Sequence, residues 1–153
     1  MNQCIFCEIV KGNIPSFKIF EDNELLVVLD INPASKGHCL IISKEHDKVP
    51  ENLGKTIKLI IENFKEKINL KSYSLLKKAE IEHFVLQFIP VNEGKEVLCQ
   101  VANKQGNQEE LKKLAEELKL KEKKEIKQEE NEKVVEIKGP KIIEGKKLWY
   151  INP

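Results

Sequence analysis

The order of hydrophobic patterns along this chain predicts an α+β fold built on an antiparallel sheet. Two observations carry that reading. Short apolar runs of strand character follow one another closely enough for hairpin connections, and only two stretches place apolar residues at helical spacing. Length adds a third: 153 residues with 41% hydrophobic content support one ordinary core, hence a single domain with at most an appendage.

The elements follow in order. After Cys4 to Cys7 and room for a helical turn, "FKIFED" and "ELLVVLDINP" read as two strands separated by Asp22-Asn23, a hairpin, with the second ending at a Pro33 turn. "GHCLIISKEH" is a third strand, opened by Gly37 and closed by charge. Leu53, Ile57, Ile60, Ile61, Phe64 and Ile68 recur at helical spacing, which predicts an amphipathic helix over 51–69. A fourth strand over 71–76 is weakly signalled, and the fifth is "EIEHFVLQFIP". Its alternation puts Ile81, His83, Val85, Gln87 and Ile89 on one face and Phe84, Leu86 and Phe88 on the other. Leu111, Leu114, Ala115 and Leu118 mark a second helix over 108–120.

The domain is therefore expected over 1–120. Residues 121–133 are almost wholly charged and read either as a solvated helix extension or as a linker. The tail, 134–153, regains apolar residues and holds the only Trp, so it is expected to pack on the domain.

Charge narrows the function classes. With 26 basic and 25 acidic residues there is no overall electrostatic case for nucleic acid or an anionic membrane, although a local patch stays open. Every basic residue is lysine, so no guanidinium fork for phosphate can be built. No apolar run approaches the ~20 residues of a membrane span, and a soluble, cytoplasmic protein is expected. The four cysteines, Cys4, Cys7, Cys39 and Cys99, do not resemble the framework of a small secreted domain.

Cys4-x-x-Cys7 puts two thiols on one tight turn, suited to two corners of a tetrahedral zinc site, with His38, His46 and His83 as candidate partners. The alternative is a pair of reduced, half-buried thiols unrelated to the histidines. A redox pair fits less well, because the motif does not join a strand to a helix in a βαβ unit.

"CIFCEIVKGNIPSFKIFEDNELLVVLDINPASKGHCLIISKEH" resembles the N-terminal half of the histidine triad, or HIT, proteins, with their Cys-Ile-Phe-Cys, Gly-x-Ile-Pro, Glu-Asp, Leu-Asp-Ile-x-Pro and Gly-His elements. "FIPVNEG" and "QEELKKLAEEL" are similar to that family's strand end and C-terminal helix, so the likeness runs from about residue 3 to 120. It implies a HIT-like fold, an antiparallel five-stranded sheet with two helices, usually paired as a homodimer. The implied activity is hydrolysis or transfer of nucleotides at the α-phosphate.

That chemistry needs a His-x-His-x-His strand whose middle imidazole attacks phosphorus. Alignment through Ile89-Pro90 puts His83, Val85 and Gln87 on the three positions, a degenerate triad with valine where the nucleophile belongs. Valine has no lone pair, so no phosphoramidate can form there. Gln87 is a lesser departure, since the nucleotidyltransferase branch also carries glutamine. The family's glycine-bearing phosphate loop is missing too, as no glycine lies between Gly54 and Gly94.

The resemblance further implies zinc ligation by Cys4, Cys7, His46 and His83, a structural zinc that pins the N-terminal turn to the sheet. It places Phe6, Ile9, Val28 and Ile31 around a purine nucleotide's base, Asp30 on the ribose hydroxyls and His38 near the phosphate. The four apolar residues are equally ordinary core candidates, and Asp30 can simply cap the turn before Pro33. Three readings of function follow: a pseudoenzyme retained for nucleotide binding or interaction; an active or weakly active hydrolase in which His38 or a tail residue supplies a base; and a protein- or RNA-binding role for the tail around Leu148-Trp149-Tyr150.

Overall fold

In a computed structural model of the chain, the described residues are 4–77, 79–92, 106–120, 141–143 and 146–149, the last two stretches by backbone alone. The expected linker over 121–133, the start of the tail and Cys99 lie outside them.

Five strands, β1 (Lys18–Glu21), β2 (Leu25–Leu29), β3 (Cys39–Ser43), β4 (Ser72–Lys77) and β5 (Val85–Val91), pair antiparallel in the order β1-β2-β3-β5-β4. The tail adds two more, β6 (Lys141–Ile143) and β7 (Lys146–Trp149), with β7 paired to the outer edge of β4. Three helices accompany them: α1 (Ile5–Lys11), α2 (Leu53–Ile68) and α3 (Gln108–Leu118). The antiparallel five-stranded α+β core is thus as expected, and α1 is a full helix where only a turn had room in the pattern.

All five β2 residues are buried, because the sheet is covered on both sides. One face carries Leu25, Val27, Leu29, Ile41, Leu86 and Phe88 against Ile60, Phe64 and Ile68 of α2 and Leu111, Ala115 and Leu118 of α3. Phe64 meets Phe88 edge to face with ring centroids 5.6 Å apart. The other face carries Leu26, Val28, Ile42 and Val85, with Phe6, Ile9 and Val10 of α1 packed on it. Alternation along β5 therefore divides the two layers as the sequence pattern requires.

Polar side chains fix the turns. Asp22 Oδ1 accepts from the amides of Glu24 and Leu25, closing the first hairpin. Glu24 Oε2 accepts from the amides of Glu51 and Asn52, a carboxylate at the positive end of α2. Gly37 precedes β3 with φ +90°, and a Cβ there would come within 2.8 Å of Ile68 Cδ1, so glycine alone lets the loop approach α2.

Candidate metal centre

Four side chains from three places in the chain converge at one end of the sheet. Cys4 sits at the N-cap of α1 and Cys7 one turn later. His46 follows β3 and His83 precedes β5, whose regular pairing starts only at Val85. Two backbone bonds, Phe84 N to His46 O at 3.1 Å and Ser43 N to Phe84 O at 3.1 Å, stitch those segments together and hold the imidazoles side by side.

The donor atoms Cys4 Sγ, Cys7 Sγ, His46 Nδ1 and His83 Nδ1 all lie within 4.8 Å of one another. The two Nδ1 atoms are 3.2 Å apart, and the sulfur–nitrogen separations are 3.2 Å (Cys7–His46), 3.4 Å (Cys4–His83) and 3.5 Å (Cys7–His83). Ordinary zinc bond lengths on a regular tetrahedron give edges of about 3.3 Å for N–N and about 3.6 Å for S–N. The cluster thus has the size of a tetrahedral site, and these four residues could hold a metal ion.

The surroundings orient the ligands. His83 is 1% exposed, and its Nε2 lies 2.7 Å from the Ser43 carbonyl oxygen. A carbonyl only accepts, so Nε2 carries the proton and Nδ1 turns a lone pair into the cluster. His46 Nε2 lies 3.7 Å from Asp47 Oδ1, which favours the same tautomer there. Two lone pairs facing each other across 3.2 Å call for a proton or a cation between them. Burial, then Cys4 beside it, pushes the Cys7 thiol above its ordinary range, so metal-free protein holds that proton until a cation displaces it.

Val85, two residues beyond His83, is 4% exposed and belongs to the apolar layer under α1 with Leu26, Val28 and Ile42. Gln87 is half-buried and opposite Leu40 of β3.

The residues expected around a nucleotide divide into two groups. Phe6, Ile9 and Val28 come together in the layer that holds Val85. Asp30 and His38 come together in the β2–β3 loop, where Asp30 Oδ1 accepts from Asn32 N at 2.8 Å and Oδ2 lies 3.6 Å from His38 Nε2. His38 Nδ1 accepts from Ala34 N at 3.0 Å, so the loop fixes the ring through that nitrogen. Ile31 stands apart, 51% exposed. The sequence pattern passed over Leu26, Ile42 and Val10, partners on the same face, and the Ser43 carbonyl, which as backbone has no side-chain signature.

Residues 3–86 match the protein family described as "Scavenger mRNA decapping enzyme C-term binding", more than half of the chain. An uncharacterized HIT-like protein of Methanocaldococcus jannaschii is 35% identical over 105 residues, spanning 60% of this chain and 81% of that protein. This chain belongs to the HIT family. An adenosine 5'-monophosphoramidase of Saccharomyces cerevisiae is 32% identical over 102 residues, which are 60% of this chain and 65% of that relative, just under two thirds of its length. A Zn-bound histidine triad protein from Mycobacterium smegmatis shares the fold, with a TM-score of 0.61 at 23% identity over 76% of this chain and 91% of its own. HIT proteins bind nucleotides and often dimerise. Among the described residues, no helix is long and apolar enough to cross a membrane.

Proposed function

We propose that this chain is a zinc-stabilised HIT protein that has lost nucleotidyl transfer and serves as a nucleotide-binding or interaction module. One observation carries the reading: a complete Cys4-Cys7-His46-His83 donor set stands beside Val85, an aliphatic residue packed into the apolar layer at the position where the family's chemistry needs an imidazole.

Two thiolates and two imidazoles at tetrahedral spacing suit zinc, a borderline-soft ion that closes such sites without an open position. A closed site binds no water to activate, so the ion's contribution is to join α1 to the sheet. The reacting group is what is missing, since Val85 cannot carry a nucleotidyl group and Gln87 lacks a basic lone pair. The nucleoside side is better preserved. A purine base would lie against Phe6, Ile9, Val28 and Ile31, its ribose on Asp30 and its phosphate toward His38. The contiguity of the first three and the 18% exposure of the Asp30 side chain support that pose. Free Cys4, Cys7 and Cys39 suit a reducing compartment such as the cytoplasm.

The active reading is favoured by the yeast phosphoramidase relative. It requires a base other than residue 85, and His38 is poorly placed to be one, since it is 5% exposed and its Nδ1 lone pair already accepts from Ala34 N. Incubation of purified, metal-loaded protein with adenosine phosphoramidate or a dinucleoside polyphosphate separates the two. Binding without turnover supports the inert module; turnover at ordinary enzyme rates, abolished by His38→Ala or Gln87→Ala, establishes the hydrolase.

A further inference from the structure

The face of the sheet that α1 covers changes character along its length. Leu26, Val28, Ile42 and Val85 form its buried floor, and the half-buried Leu40 of β3 and Ile81, from the segment before β5, pack on that floor beside the helix. Strand alternation continues the same face to Asp30 after Val28, to His38 before Leu40 and to Gln87 after Val85. Register brings the strands level: Leu40 pairs with Val28 on one side and with Gln87 on the other. The layer is therefore aliphatic around α1 and Ile81, and polar where the β2–β3 loop begins.

The carboxylate of Asp30 sets the charge at the polar end. Its Oδ1 accepts from the Asn32 amide and its Oδ2 lies 3.6 Å from His38 Nε2. Gln87 is half-buried and neutral. The lysines on the segments that frame this face are directed elsewhere: Lys11 pairs with Glu8, Lys44 with Glu21 and Lys48 with Glu45. Lys77 lies 5.2 Å from the ring centroid of Phe84, which belongs to the opposite layer, and Lys36 lines a hollow with Glu110 and Glu117 of α3. A phosphate on this face would meet aliphatic side chains, a neutral amide and a carboxylate, with none of these lysines to offset its lost hydration.

We propose, resting on the nucleotide-binding reading above, that the ligand this face selects is an uncharged purine nucleoside, and that Ile81 and Val85 keep its 5'-phosphate form out. An apolar layer suits the base, and the Asp30 carboxylate accepts from ribose hydroxyls while repelling a phosphate. Gln87 offers a neutral partner for a free 5'-hydroxyl. Ile81 and Val85 exclude the anion by leaving it desolvated and uncompensated, a rejection built from the binding site rather than from a clash.

Isothermal titration of the full-length, zinc-loaded chain with adenosine, guanosine and their 5'-monophosphates is the test. A nucleoside should bind at least about tenfold more tightly than its monophosphate, a difference of about 1.4 kcal/mol. Added salt screens the repulsion, so it should strengthen the monophosphate and leave the nucleoside unchanged. Ile81→Lys puts an ammonium on the aliphatic layer and should narrow the gap by about threefold, the scale of one partly exposed charge pair. Gln87→Lys makes the same test from the other side of Val85 where the first variant does not fold. A monophosphate that binds as tightly as its nucleoside, or that weakens with salt, would overturn the selection and leave the nucleotide-binding reading standing. So would a gap that folded variants leave unchanged. Failure of all four ligands to bind would overturn both.

Discussion

Removing the metal is the perturbation whose size the structure sets best. α1 has seven residues, none of them buried, and an isolated helix needs about 12–15 residues to persist in water. It is held by the partly buried Phe6, Ile9 and Val10, and it carries Cys4 at its N-cap and Cys7 within it, two donors of the candidate metal cluster. With free zinc at about 100 times its dissociation constant, binding to the folded state alone stabilises by about 2.7 kcal/mol. For a chain of this size about 1 kcal/mol moves the melting midpoint by 2–4 °C, so chelation should lower it by about 5–11 °C. Stoichiometric zinc should restore it, and Cys7→Ser should melt like chelated protein with or without zinc. In the same experiment, the amides of 5–11 should lose exchange protection first, followed by Leu26, Val28, Ile42 and Val85 on the face that α1 covers. A midpoint that moves by less than about 1 °C on chelation, with unchanged protection over 5–11, would show that no metal joins this helix to the sheet.

Three further outcomes follow from the packing. Val85→His puts a polar ring into the layer formed by Leu26, Val28 and Ile42, and should cost about 1–3 kcal/mol in denaturant titrations. It should still give no covalent adduct with adenosine phosphoramidate, because no glycine between Gly54 and Gly94 can form a phosphate loop. Phe64→Ala removes a fully buried ring from between α2 and β5, and should cost about 3–5 kcal/mol by the same measurement. Burial pushes the Cys39 thiol far up, Asp30 adding to the effect, so the folded chain keeps a proton that the unfolded chain gives up. Its contribution is fully present below the unfolded thiol pKa of about 8.5 and is lost above it, by up to about 1.4 kcal/mol per pH unit. Chelated protein should therefore lose stability from pH 8.5 upward, and Cys39→Ala should flatten that decline.

The fold was legible where the signal is local. Six apolar residues at helical spacing placed α2, and the alternation through Phe84-Val85-Leu86 separated the two faces of β5. Strand ends were overrun, as with His83, because period-2 patterning continues past the last ladder bond. α1 escaped because seven residues span too few turns to show a periodicity. The position of β5 between β3 and β4 is set by how the chain crosses the sheet through α2, which no residue pattern encodes. At the site, Cys-x-x-Cys pointed to a metal, but which histidines complete the set is a matter of tertiary geometry, and the spacing alone left three candidates. Asp30 illustrates the converse: its capping of the Asn32 amide was readable from Asp-Ile-Asn-Pro, while the buried His38 beside it appears only once the loop closes.

A filled metal site and an absent nucleophile leave distinct masses, and native mass spectrometry reads both in one spectrum. Protein purified without chelator is incubated with adenosine phosphoramidate and sprayed intact. The expected spectrum shows one zinc per chain and no covalent adenylyl adduct at any time point. A metal-free chain, or an adenylylated one, would contradict it.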